Sequence, residues 1–165
     1  MIRPETPADA DAIATLTTAA FLNAPHTSHT EAFIVNALRR AGAMSVSLVV
    51  EQGGALVGHV ATSPVVVADG TLGWHGLGPI SVSPEHQGKG IGSALMQAAL
   101  QALRDQGAAG IMLVGDPGYY RRFGFRQEPQ LVYPGIPPEY FMVLPFTGAL
   151  PQGTVSFHEA FGATS

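Results

Sequence analysis

Val82-Ser83-Pro84-Glu85-His86-Gln87-Gly88-Lys89-Gly90-Ile91-Gly92-Ser93-Ala94-Leu95 reads as the end of a strand, a glycine-rich turn and the start of a helix. The first amides of a helix have no intrahelical acceptors, and the helix dipole adds partial positive charge at the same end. A strand running into such a turn therefore builds a main-chain site for a phosphate. Glycines at 88, 90 and 92 let the backbone approach an anion without Cβ atoms in the way.

Two common glycine-loop patterns do not fit these letters. A P-loop needs glycine five places before Gly88, where Ser83 stands. A dinucleotide fingerprint needs glycine three places after Gly90, where Ser93 stands, and its acidic ribose ligand is matched only loosely by Asp116.

The pattern that does fit is Gln-x-x-Gly-x-Gly at Gln87, Gly90 and Gly92, preceded by Val-x-Pro at Val82 and Pro84. It resembles the acyl-coenzyme A pyrophosphate loop of the GNAT acyltransferase superfamily. A second block, Tyr119-Tyr120-Arg121-Arg122-Phe123-Gly124-Phe125, resembles the segment that closes that family's core, in the same order and at a similar separation. Ile2-Arg3-Pro4, Val57-Gly58-His59-Val60, Ser63-Pro64-Val65 and Gly115-Asp116-Pro117 are similar to the YhbS-like branch of the superfamily.

Composition bounds the alternatives. The chain has 165 residues, the size of one domain spanning residues 1–165, and its 46% hydrophobic and 12% charged content suits a packed core. A net charge of -4 without a basic run argues against a nucleic-acid partner. With no cysteine, disulfides, thiolate nucleophiles and cysteine-held metals are excluded. His26-x-x-His29 lacks a third ligand nearby, so no metal is expected. No signal-like or membrane-spanning apolar run is seen, so a cytoplasmic chain without a membrane partner is expected.

Outward from the loop, the pattern predicts a short N-terminal strand, a helix capped by Thr6-Pro7-Ala8-Asp9 and running to about Leu22, and a second helix over Thr30 to Arg40. Val46 to Glu51 and Leu56 to Ala68 read as strands joined at Gly53-Gly54, followed by a strand over Trp74 to Val82. A helix over Gly90 to Gln106 and a buried strand over Ile111 to Val114 complete a crossover, which makes the two flanking strands parallel neighbours. The tail from Leu131 to Phe146 is expected to finish the sheet with antiparallel strands. The resulting fold class is an α/β mixed sheet with helices on both faces. The family resemblance adds a splayed parallel pair at the cofactor site.

That resemblance implies acetyl-CoA as co-substrate. Gly88, Lys89, Gly90, Ile91, Gly92 and Ser93, with Gln87, would hold its pyrophosphate, and the backbone of Ile80, Ser81 and Val82 its pantetheine arm and thioester oxygen. Pro79, which has no N–H, predicts an interruption or bulge in that strand. Tyr120, five residues before Phe125, stands where the family has its general acid, with Tyr119 read as packing. Leu113 stands where many relatives carry an asparagine seven places before this tyrosine, which implies that the cofactor contact made there is absent or replaced, with Asp116 as the candidate. His75, His59 and Glu51 are general-base candidates by side-chain type, and a water chain is an equal alternative. Arg121 and Arg122 fit either a phosphate contact or plain surface charge, while Phe157, Glu159 and Phe161 read as a cap on the core or a seam between two copies.

The function implied is an N-acetyltransferase that acts by direct attack of an amine in a ternary complex. A coenzyme A-binding sensor of the same fold is the alternative, and a nucleotide-dependent phosphate enzyme ranks third. The acceptor would be a small-molecule or peptide amine, and a homodimer stays open.

Overall fold

Six strands in the order β1-β2-β3-β5-β6-β8 form the main sheet of the computed structural model, which describes residues 1–24 and 27–165. Pro25 and His26 lie outside the described residues, and with them part of the predicted loop and of the His26-x-x-His29 pattern. β1 (Ile2–Pro4) pairs antiparallel with β2 (Val46–Gln52). β2 turns back into β3 (Ala55–Pro64) through Gly53 and Gly54, whose φ values of 58° and 79° suit a two-residue hairpin turn. β5 (Trp74–Val82) lies beside β3, β6 (Gly110–Val114) runs parallel to β5, and β8 (Phe141–Pro145) closes the sheet antiparallel to β6.

Helices cover both faces, as the periodicity predicts. On one face α3 (Ile91–Asp105) buries Leu95, Ala99 and Leu103 against Val50, Val57, Leu77 and Leu113. Burying a leucine-sized side chain contributes about 1.5–3 kcal/mol, so this stripe is what holds the crossover helix down. Gly58 lets α3 come close, since a Cβ there would meet Ile91 and Leu95 at 3.0 Å. On the other face lie α1 (Ala10–Phe21) and α2 (Glu31–Arg40), with Ile13, Val35 and Val49 forming a separate small core. The predicted cap is present: the Thr6 amide donates to Asp9 Oδ2 at 2.7 Å, starting a short 3-10 turn that leads into α1.

Two expectations need correction. The strand predicted over Leu56 to Ala68 breaks after Pro64, because β5 begins at Trp74 and the ladder runs out of partner. Val66–Val67 (β4) instead joins a second sheet with β9 (Gly153–Ser156) and β7 (Leu131–Val132), in the order β4-β9-β7. Of the tail, only β8 completes the main sheet as expected; β7 runs parallel to the unpredicted β9. This small sheet sandwiches Val67, Leu131 and Val155 with Trp74, Met112 and Phe141. Phe157 and Phe161 stack edge-on at 5.2 Å, and a Cβ on Gly76 would meet Phe157 at 2.7 Å, so the aromatics at the C-terminal end pack directly on β5.

Among the described residues no helix is long and apolar enough to cross a membrane. No group of three or more metal-ligating side chains occurs among them either.

Candidate active site

β5 and β6 pair at Trp74↔Gly110, His75↔Ile111 and Gly76↔Met112 only. Beyond Gly76, β5 stays with β3 while β6 stays with β8, so the two parallel strands diverge. The predicted interruption is at the same place: Val60 aligns with Ile80 and Thr62 with Leu77, which leaves Gly78 and Pro79 facing Ala61 alone. Two residues opposite one is a β-bulge, and it resets the alternation so that Leu77 and Ile80 both face α3. A proline is tolerated here because no ladder bond needs its nitrogen.

The chain leaves β5 through a braced turn. The Ser83 amide donates to the Val57 carbonyl at 2.9 Å, Ser83 Oγ lies 2.6 Å from His86 Nδ1, and the Gln87 side-chain amide donates back to the Val82 carbonyl at 3.0 Å. Gly88 and Gly90 then take φ values of 76° and 85°, in the left-handed region that side chains disfavour. Gly90 is the N-cap of α3, and nothing lies within 4 Å of where its Cβ or that of Gly88 would stand. The first amides of α3, at Ile91, Gly92 and Ser93, precede the first intrahelical bond, which the Ala94 amide donates to Gly90.

Tyr120 enters from the other wall. It ends α4 (Pro117–Tyr120), a single turn capped by the Asp116 carboxylate, which accepts from the Gly118 amide at 2.9 Å. That bond occupies the carboxylate proposed to substitute for a missing asparagine, and Leu113 itself is buried in the α3 core. Gly115 lies flat under the tyrosine, since a Cβ there would run into the Tyr120 ring. Tyr119 and Phe125 hold the ring edge-on at 4.9 Å and 6.1 Å. Burial, reinforced by Tyr119 and Asp116 nearby, raises the Tyr120 phenol above its ordinary 10.0, so it carries its proton at neutral pH.

A cleft of about 570 Å³ joins these parts. Of the residues singled out in the sequence, Ile80 and Val82 line one wall, Gln87, Gly88, Gly90, Ile91, Gly92 and Ser93 the end, and Tyr120 the far side. Lys89 and Ser81 do not line it; the Ser81 side chain lies on the opposite face of the sheet. His86, Tyr119 and Arg122 line it as well. Arg122 lies 4.4 Å over the Tyr119 ring, and Tyr119 Oη is 3.4 Å from Ser93 Oγ, so this tyrosine joins the two walls. The lining role of His86 was not legible beforehand, although its place within the Pro84 to Gln87 turn is the signal that could have pointed to it.

The three base candidates separate clearly. Glu51 is engaged by Arg3 Nε at 3.1 Å, in a groove of about 630 Å³ beyond the Ser83–Glu85 turn where Arg3 also pairs with Asp9. His75 is half-buried at the closed end of the strand pair, 2.9 Å from Ser45 Oγ, and burial lowers its pKa. His59 is fully buried behind the open segment of β5, with Nε2 2.9 Å from Ser47 Oγ.

Behind His59 stands an ion pair. Arg39 donates to both Glu5 oxygens at 2.9 Å and 3.0 Å, and the Ser47 hydroxyl donates to Glu5 as well. Burial alone would raise the Glu5 carboxyl, but the His59, Arg39 and Ser47 donors outweigh it and hold the pKa at about 2. Its stabilising contribution is therefore whole above the ordinary value of 4.5 and drains as pH falls toward about 2. Replacing Glu5 by glutamine removes the carboxylate that pairs with Arg39 and leaves that cation only its bond to Asn36, and thermal unfolding should register a loss of about 2–4 kcal/mol at pH 7. The difference between variant and wild type should narrow as the pH is lowered below 4.5.

Comparison with known proteins agrees with this geometry. Residues 1–127 match the Acetyltransferase (GNAT) domain family. The N-acetyltransferase YhbS of Escherichia coli strain K12 is 36% identical over 126 residues, 76% of this chain and 72% of that protein. A GNAT family acetyltransferase from Brucella melitensis, solved in complex with acetyl-CoA, is 45% identical and superposes with a TM-score of 0.87 over 98% of this chain and 97% of its own. The E. coli YhbS structure in complex with CoA, 32% identical, gives a TM-score of 0.88 over 100% of this chain and 93% of that one. The chain thus belongs to the GNAT acetyltransferase family, within which it is similar to YhbS.

Proposed function

We propose that this chain, acting as one domain over residues 1–165, is an acetyl-CoA-dependent N-acetyltransferase that transfers the acyl group to an amine by direct attack in a ternary complex. The observation that carries the reading is the cleft between the diverging β5 and β6, which has a helix N-terminus at one end and a protonated tyrosine on its far wall. Relatives solved with acetyl-CoA and with CoA support the choice of ligand.

Each residue's task follows from its chemistry. The amides from Gly88 to Ser93 hold the pyrophosphate, and Arg122 adds positive charge beside it. The main chain of Ile80 and Val82, having lost β6 as a neighbour, pairs with the pantetheine arm as it would with an added strand. An amide of the same segment polarises the carbonyl. Acetyl-CoA supplies the acyl group as a thioester. When the amine nitrogen bonds to the carbonyl carbon and the carbon–sulfur bond breaks, Tyr120 gives its phenolic proton to the departing sulfur. Its raised pKa keeps that proton available through neutral pH, and the contribution is lost only as pH climbs past the ordinary 10.0.

The acceptor is a small-molecule or peptide amine, and free-thiol release across a panel of primary amines identifies its class. Calorimetric titration of the folded protein with acetyl-CoA and CoA should show saturable one-to-one binding. A folded sample that binds neither would sink the proposal. Saturable binding without turnover of any amine would favour the sensor.

A further inference from the structure

The gap between β5 and β6 opens on both faces of the sheet, and the cofactor reading fills only one of them. Ile80 packs with Ile91 on the α3 side, and Val82 lies close to Gly92, so the cleft they line belongs to that face. An attacking amine must come from the side that the thioester leaves free.

The walls of that other side follow from strand alternation. On β6, Ile111 and Leu113 are buried toward α3, so Met112 and Val114 point the opposite way. Met112 is the last residue of β6 paired with β5; Val114, just past the parting, is 45% exposed. β8 places Phe141 beside Val114 on this same face. Tyr140, whose carbonyl accepts from the Gly115 amide at 2.9 Å, is 42% exposed.

An arc of aromatic rings joins this wall to β5. Tyr133 stacks on Phe141 at 5.6 Å, Phe157 lies 5.1 Å from Tyr133, and Phe161 lies 5.2 Å from Phe157. Phe157 covers Gly76, the last residue of β5 paired with β6. Phe161 comes to 4.0 Å from where a Cβ on Gly78 would stand, past the parting, and packs against Ile34 and Leu38 of α2. The arc therefore starts and ends on opposite walls of the gap and rims its closed end. Phe125, on the α3 side, is fully buried, whereas Tyr133, Phe157 and Phe161 are only half-buried. Contiguous ring surface left open beside a cleft suits a ligand.

We infer that this arc is the acceptor site and that it selects a primary amine carried on an aromatic-sized apolar group. The inference rests on the acetyltransferase reading and names its substrate class. Offset and edge-to-face contacts hold an aromatic substituent, and the ring faces also attract its ammonium. The ammonium gives one proton to solvent before attack and a second as its nitrogen bonds to the carbonyl carbon. Tyr120 and the departing sulfur stay on the α3 side, where the phenol protonates sulfur as the carbon–sulfur bond breaks and is reprotonated from solvent. A polycation fits less well, since Asp9, Asp11, Glu51 and Glu85 line the groove beyond the Ser83–Glu85 turn, at the other end of β5 from Gly76.

Free-thiol release with phenethylamine, propylamine and spermidine tests this. Phenethylamine should exceed each of the others in kcat/KM by about 30-fold. Phe161→Leu keeps an apolar contact near Gly78 but removes the ring; it should raise the KM for phenethylamine by about 10-fold and leave that for propylamine within about twofold. Val114→Glu, at an exposed position, should shift the preference toward spermidine by about 10-fold, and it keeps the test open if Phe161→Leu does not fold. CoA affinity should stay within about twofold in both variants. The ¹⁹F line of para-fluorophenethylamine, recorded with and without CoA, needs no turnover: it should broaden with wild type and less so with Phe161→Leu. Failure to bind CoA would count against the acetyltransferase reading and leave the ¹⁹F result to decide the site. CoA binding with equal rates across the panel, or a line equally broad in wild type and variant, overturns the inference. A dimer in sedimentation that Phe161→Leu dissociates, with KM unchanged, overturns it too and assigns the rings to a seam between copies.

Discussion

Tyr120→Phe should reduce kcat by about 1,000-fold while leaving the affinity for acetyl-CoA within about twofold. The phenol stands on the wall of the cleft facing β5, and the substitution removes a single oxygen. The ring itself is held by packing against Tyr119, Phe123 and Phe125 and over Gly115, contacts that phenylalanine keeps. Stability should therefore hold within about 0.5 kcal/mol, as for a change that disturbs no packing. Free-thiol release under saturating co-substrate, alongside calorimetric titration, checks both halves. If kcat stayed within about threefold of wild type, Tyr120 would be a packing residue and solvent would have to protonate the sulfur.

Gly90→Val should weaken CoA binding by about 100-fold or more, equivalent to about 2.8 kcal/mol. The residue caps α3 at φ 85°, a conformation that a β-branched side chain adopts only at a cost of about 1–3 kcal/mol. Relieving that strain swings the first amides of α3 away from their common focus. Where the strain is kept, the new methyl groups stand in space where nothing now lies within 4 Å of the Cβ position. Both outcomes harm the proposed anion site. The melting temperature should fall by only about 5 °C, because the helix stays anchored by Leu95, Ala99 and Leu103. Calorimetry with CoA and a thermal melt without it separate lost binding from lost folding.

The difference between what the sequence discloses and what it hides is physical. Gly88, Gly90 and Pro79 are readable because the backbone there demands a positive φ or the absence of an N–H, and few residue types satisfy either demand. Tyr120 is readable through its spacing to Phe125 and its match to a family pattern. The second sheet was missed because β4 and β7 span two residues each and β9 four, too short for alternation to show. His59 looked like any other histidine. Its polar neighbours, Glu5 and Ser47, are distant along the chain and brought beside it only by the fold. The same holds for Glu51, a free carboxylate by type and an arginine's partner in the fold.

The early parting of β5 from β6 has a bearing on how the protein behaves when nothing fills the cleft. One flank of Ile80 to Val82 is then an internal edge, a strip of hydrogen-bonding backbone of the kind that recruits stray extended chains and seeds aggregation. A thioester arm lying along that strip would mask it, and at a ligand concentration one hundred times Kd the occupied form gains about 2.7 kcal/mol over the empty one. Aggregation on storage should therefore be slower with CoA present than without it.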